Sequence, residues 1–137
     1  EGMMRWTVWA AVFGLIAVAL GAFGAHALKE RLDAHELSVY ETAVRYQFYH
    51  VFALIGCDVV QLLGRNTSGG ADPSAATATQ LAGWCFTIGI VVFSGSLYAL
   101  VASGIRKFGA VTPLGGLTLM VGWASLGWAA WSSVRQG

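Results

Sequence analysis

The sequence predicts an all-α fold: an integral membrane bundle of four transmembrane helices, with a helical elbow between helices one and two. Three observations carry that expectation. Residues 6–28, 44–63, 81–103 and 114–134 are each about 20 or more mostly apolar residues, the length that crosses a ~30 Å hydrocarbon core at 1.5 Å rise per residue. Hydrophobic residues make up 56% of the chain and charged ones 11%, with a mean hydropathy of +0.63, far from the soluble average of about a quarter charged. The segments between the apolar stretches carry helix-capping and turn chemistry. Residues 1–137 are therefore read as a single transmembrane domain.

Helix one reads as a retained span, because its apolar run is longer than a signal h-region and leads into Lys29 and Glu30. Small side chains recur on it at Thr7, Ala10, Gly14, Ala17, Gly21 and Gly24, in steps of three and four. That is the rhythm of a left-handed packing seam, and in lipid such seams let backbones approach closely. Residues 29–43 read as the elbow, with two candidate capping boxes, Asp33 with Glu36 and Ser38 with Glu41. Glu41 and Arg45 stand four apart in the order that favours pairing on a helix face. Helix two is expected to start near Val39.

Helix two differs from the others in carrying Gln47, His50, Asp58 and Gln61 through apolar sequence. At 100° per residue the four fall within an arc of about 80°. Polar groups in a span face the bundle interior or a wet cavity, and they are functional candidates by default. His50 reads either as a histidine satisfied by a neighbour or as a proton relay, and Asp58 as a capped or interfacial carboxylate. They lie ~12 Å apart along the axis, so they do not pair and no metal site follows. The second connection, 64–70, is a polar, glycine-rich surface loop.

Asp72-Pro73 signals the start of helix three, with a polar first turn at Ser74, Thr77, Thr79 and Gln80. Thr112-Pro113 gives the same signal for helix four. Helix four repeats the small-residue rhythm at Gly115, Thr118, Gly122, Ser125, Ala129 and Ser132, and helix three shows a weaker version. Gly14, Gly21, Gly24, Gly115, Gly122 and Ser125 are the expected packing residues, and helices one and four are expected to pack seam to seam. A pore lined by small residues is the alternative use of such stripes. Cys57 and Cys85 read as seam fillers. Trp6, Trp9, Trp84, Trp128 and Trp131 form an aromatic belt on the side of the termini, with Trp123 deeper.

Depth counting brings one polar group from every helix to the level of the first and third connections: His26, then Arg45, Gln47 and His50, then Ser96 and Tyr98, then Thr112. This layer is the candidate ligand site, with Arg45 and His26 suited to an anionic lipid headgroup. A self-satisfied hydrogen-bond network is the competing reading.

Gly21-Ala22-Phe23-Gly24-Ala25-His26-Ala27-Leu28, Thr42-Ala43-Val44-Arg45-Tyr46-Gln47-Phe48-Tyr49-His50, Phe93-Ser94-Gly95-Ser96-Leu97-Tyr98-Ala99-Leu100 and Thr112-Pro113-Leu114-Gly115-Gly116 resemble the small inner-membrane proteins grouped as domain of unknown function 423, which have small eukaryotic transmembrane relatives. The resemblance implies a compact multi-span membrane protein and supplies no catalytic residue. Asp58 and the Gly/Ser-rich second connection fall outside its pattern.

Three function classes remain, in this order. A structural or interaction protein, serving as accessory subunit of a larger membrane complex, suits the small size and the seams. A small-solute or proton pathway would require a homo-oligomer. A lipid- or quinone-binding protein or enzyme would use His26, Arg45 and His50. The net charge of +1 offers no surface for nucleic acid, and no cofactor or metal motif is present. Lys29, Arg31, Arg45, Arg106 and Lys107 on one side outnumber Arg5, Arg65 and Arg135 on the other, which places both termini outside the cytoplasm by the positive-inside rule.

Overall fold

A computed structural model describes residues 4–67, 69–70 and 72–136. Four helices follow one another: α1 (Arg5–Phe23), extended by a π-helical turn (Gly24–Leu28), α2 (Ala34–Arg65), α3 (Pro73–Ser103) and α4 (Lys107–Arg135). All four are long and apolar enough to span a membrane, and the chain is an integral membrane protein. At 32 residues α2 runs ~48 Å, longer than the hydrocarbon is thick, so its ends protrude or the helix tilts.

The elbow consists of the π-helical turn, a turn over residues 29–33 and the start of α2. Gly24 explains the wider turn's close fit, since a Cβ there would run into the Tyr40 ring, and the Tyr40 hydroxyl donates to the Leu20 carbonyl. Asp33 and Glu36 form their reciprocal box: Glu36 N–H donates to Asp33 Oδ1 at 2.8 Å and Asp33 N–H to Glu36 Oε2 at 3.1 Å. This cap starts α2 at Ala34, five residues before the expected Val39. The Ser38–Glu41 box does not form, because Ser38 is already inside the helix and its carbonyl accepts from Thr42. Glu41 and Arg45 are both exposed and make no ion pair; an exposed pair gains too little to hold two long side chains in one geometry.

Asp72 and Pro73 begin α3 as expected, with Asp72 accepting from Ser74 N–H at 3.0 Å. Ser68, in the expected flexible loop, lies outside the described residues. The start of helix four is corrected: α4 begins at Lys107, and Pro113 sits inside it. Gly104, at φ +71°, ends α3, and the first bonds of the new helix run from Phe108 to Ile105 and from Gly109 to Arg106. The missing proline N–H leaves the Gly109 carbonyl without its i+4 donor, a defect that spans tolerate where neighbours or water supply another partner.

Helices one and four do not pack seam to seam. α1 packs on α2, α3 makes its most extensive contact with α4, and α2 lies between. Val51 and Val44 of α2 stand 3.6 Å and 3.4 Å from where a Cβ on Gly14 and Gly21 would be. Gly115 and Gly122 of α4 face Phe93 and Phe86 of α3, while Leu119 of α4 fills the space over Gly89. Each small-residue stripe thus meets a bulky face on the helix joined to it by a short turn. The shared core comprises Trp6, Val51, Leu54, Cys57, Phe86, Ile90 and Leu119 with flanking alanines. Both cysteines are free thiols, Cys57 buried. Trp6 is also a core residue, 1% exposed, wedged against Gly83; Trp9, Trp84, Trp128 and Trp131 remain on the surface.

Candidate functional site

The polar face of α2 builds two clusters at different depths. Toward the first and third connections, Gln47 is buried with both ends of its amide engaged: Nε2–H donates to the Phe13 carbonyl of α1 at 2.7 Å, and Oε1 accepts from the Tyr98 hydroxyl of α3 at 2.8 Å. One side chain therefore ties three helices. One turn on, His50 reaches the fourth. The Trp123 indole N–H is a donor only, so His50 Nε2, 3.1 Å away, accepts. Nδ1 then carries the proton and donates to the Tyr46 carbonyl at 2.6 Å, which makes the imidazole neutral and satisfied at both nitrogens. Phe86, Trp123 and Tyr46 surround the ring at centroid distances of 5.8 to 6.2 Å.

Two serines extend this layer. Ser94 donates to the Ala43 carbonyl of α2 at 2.7 Å. Ser96 Oγ lies 2.9 Å from the Phe93 carbonyl and 2.6 Å from Thr112 Oγ1, and the hydrogen-bonded hydroxyl pair links α3 to α4. Of the seven residues placed at this level, Gln47 joins Tyr98 and Ser96 joins Thr112, while His50 bonds to Tyr46 and Trp123. His26 and Arg45 are exposed and hydrogen-bond to none of the others. Arg45 lines a groove with Gly21, Gly24 and Tyr40 that His26 does not reach.

The second cluster, at the end of the termini, centres on Asp58. Its carboxylate is 3% exposed, and Oδ2 accepts from Thr7 N–H at 2.6 Å and from the Thr7 hydroxyl at 2.7 Å. Thr7 lies in the first turn of α1, whose N-cap Met4 supplies no side-chain acceptor. Asp58 thus performs, from another helix, what an N-cap side chain does locally, and its charge complements the positive end of the helix dipole. Sequence reasoning had no residue to pair with it, because Thr7 reads as a small packing residue and contributes a backbone amide as well as its hydroxyl. The signal was the uncapped start of α1. Beside it, Arg5 donates to Gln80 of α3 and lies over the rings of Trp6 and Trp84, at 4.4 Å and 5.6 Å. Two donors, Arg5 Nε and Trp6 Nε1, and two acceptors, Asp58 Oδ1 and Gln61 Oε1, are buried here without a hydrogen-bond partner among the described residues. No group of three or more His, Cys, Asp or Glu residues is placed to hold a metal ion among the described residues.

The motifs around His26, Arg45, Tyr98 and Thr112 all lie within residues 20–116, the segment matched by the family model described as protein of unknown function (DUF423). The chain belongs to the DUF423 family. Its relatives include the UPF0382 membrane protein YwdK of Bacillus subtilis, 40% identical over 88% of this chain and 91% of the relative. They also include the UPF0382 inner membrane protein YgdD of Escherichia coli K12, 36% identical over 85% and 82%. A UPF0382 membrane protein of Staphylococcus saprophyticus is 40% identical over 90% and 94%. No solved structure matches the chain. The four spans make the protein an integral membrane protein, and its Escherichia coli relative is named an inner membrane protein.

Proposed function

We propose that the protein is a non-enzymatic interaction protein, an accessory subunit that docks its bundle on a larger membrane complex. The observation that carries this reading is the state of the inner polar layer. Gln47, His50, Ser94, Ser96, Tyr98 and Thr112 each bond to a group of the same chain, mostly on another helix. A proton relay or an acid–base site needs groups free to change partners during turnover, and these are engaged in holding helices together. Such a network favours a single arrangement of the bundle over alternatives. What remains for a partner is the outer surface, where α1 and α4 do not close on one another and where Leu15, Phe52 and Met120 are 73%, 66% and 67% exposed.

The test is extraction with the surrounding lipid in polymer nanodiscs, followed by native mass spectrometry. A second membrane protein held in fixed ratio is the expected result. A bare monomer in every preparation would overturn it, and a homo-oligomer that passes protons in liposomes would replace it with the pathway reading.

A further inference from the structure

We propose that the cleft between the elbow and the end of α3 binds an anionic phospholipid, one acyl chain lying along Tyr40 and Tyr98 and the phosphate on Arg31. The cleft has a volume of 460 Å³, within the range of about 300–1,000 Å³ that small-molecule sites occupy. Leu20 and Leu28 wall it on the α1 side, Val101 and Ala102 on the α3 side, and the rings of Tyr40 and Tyr98 meet edge to face at 5.6 Å. Both tyrosine hydroxyls are engaged elsewhere, on the Leu20 carbonyl and on Gln47, so the cleft receives ring carbon rather than hydroxyl. The surface is that of a hydrocarbon site. At this depth of a membrane the hydrocarbon at hand is a lipid chain.

Arg31 gives the site its sign. It is the one charged residue lining the cleft, it is exposed, and it makes no ion pair or hydrogen bond through its guanidinium among the described residues. The neighbouring carboxylates of Glu30, Asp33 and Glu36 do not line the cleft, and Asp33 and Glu36 each commit one oxygen to the capping box. Residues 29–33 form the turn where the chain leaves the bilayer and re-enters it, which sets Arg31 at headgroup level. A guanidinium there takes a phosphate through two parallel hydrogen bonds, and its charge favours a lipid with net negative charge over a zwitterionic one. The inference does not depend on the accessory-subunit reading, since the cleft lies inside one chain.

The test is native mass spectrometry of the detergent-purified protein mixed with equal amounts of phosphatidylglycerol and phosphatidylcholine carrying identical chains. The parent should retain one phosphatidylglycerol with about a fivefold preference, the size expected of one interfacial cation. Arg31→Gln should bring the preference to parity, whereas Lys29→Gln, which changes a neighbouring cation outside the cleft, should leave it. Ala102→Phe should fill the cleft and lose both lipids. No preference in the parent, a preference that survives Arg31→Gln, an equal loss with Lys29→Gln, or undiminished retention by Ala102→Phe would each overturn the site. The charge variants are at exposed positions and decide the question even if the filled variant does not fold.

Discussion

Asp58 shows how much one carboxylate settles when it holds both the main chain and the side chain of one residue, Thr7. The first amides of a helix need acceptors, and the N-cap Met4 has no side-chain acceptor to offer, so a side chain 51 residues after Thr7 provides one. Removing it strands a buried N–H. Asp58→Ala is therefore expected to cost about 1–3 kcal/mol, read as a lowered midpoint of thermal unfolding in detergent. Asp58→Asn keeps an acceptor and should recover more than half of that loss. Equal losses for the two variants would mean that the charge, not the cap, is what α1 requires. His50 makes the complementary point: an ionisable group in a span can be fully satisfied as a neutral hydrogen-bonding link, given one donor from Trp123 and one acceptor from Tyr46.

At the level of the helices, the four spans were legible because apolar length is a property of the string itself. Their ends were less so. Two capping boxes competed for the start of α2 and the earlier one formed; Thr112-Pro113 carried the letters of a helix start yet stands inside α4, where Thr112 instead bonds to Ser96. A small-residue stripe says that a helix packs closely and leaves open against what. The rhythm on α1 and α4 was readable, but their partners, α2 and α3, were decided by the short turns and by which faces carry valine and phenylalanine. Gly122→Leu should accordingly lower thermal stability by about 1–3 kcal/mol or more, because the new side chain collides with Phe86. Gly14→Ala, with Val51 at ordinary contact distance, and Ile16→Ala, which changes an exposed side chain, should both stay within about 0.5 kcal/mol. Comparable losses at all three positions would place the α4 seam somewhere other than on α3. Depth counting put Gln47 level with Tyr98, and Ser96 with Thr112, because rise per residue is fixed. It could not tell which side chains point inward, and His26 and Arg45 point out.

For the molecule as a whole, the unequal cations predict an orientation. The end with the first and third connections carries Lys29, Arg31, Arg45, Arg106 and Lys107, and the other carries Arg5, Arg65 and Arg135. Arg5 lies against Trp6 and Trp84 and bonds to Gln80, which fixes its charge to the bundle's end. With the more cationic end in the cytoplasm, a fluorescent protein fused at the C-terminus should stay dark and an alkaline phosphatase fusion should be active. Bright fluorescence would reverse the orientation. The contact between Thr7 and Asp58 also sets a clock on how the chain is made. At about 5–20 residues per second the ribosome needs roughly 3–10 s to synthesise the 51 residues that separate them. Throughout that interval the Thr7 amide of nascent α1 lacks Asp58, and water or a headgroup is what can meet it. The helix is completed when α2 arrives, so the first hairpin is joined by chemistry that neither of its halves possesses alone.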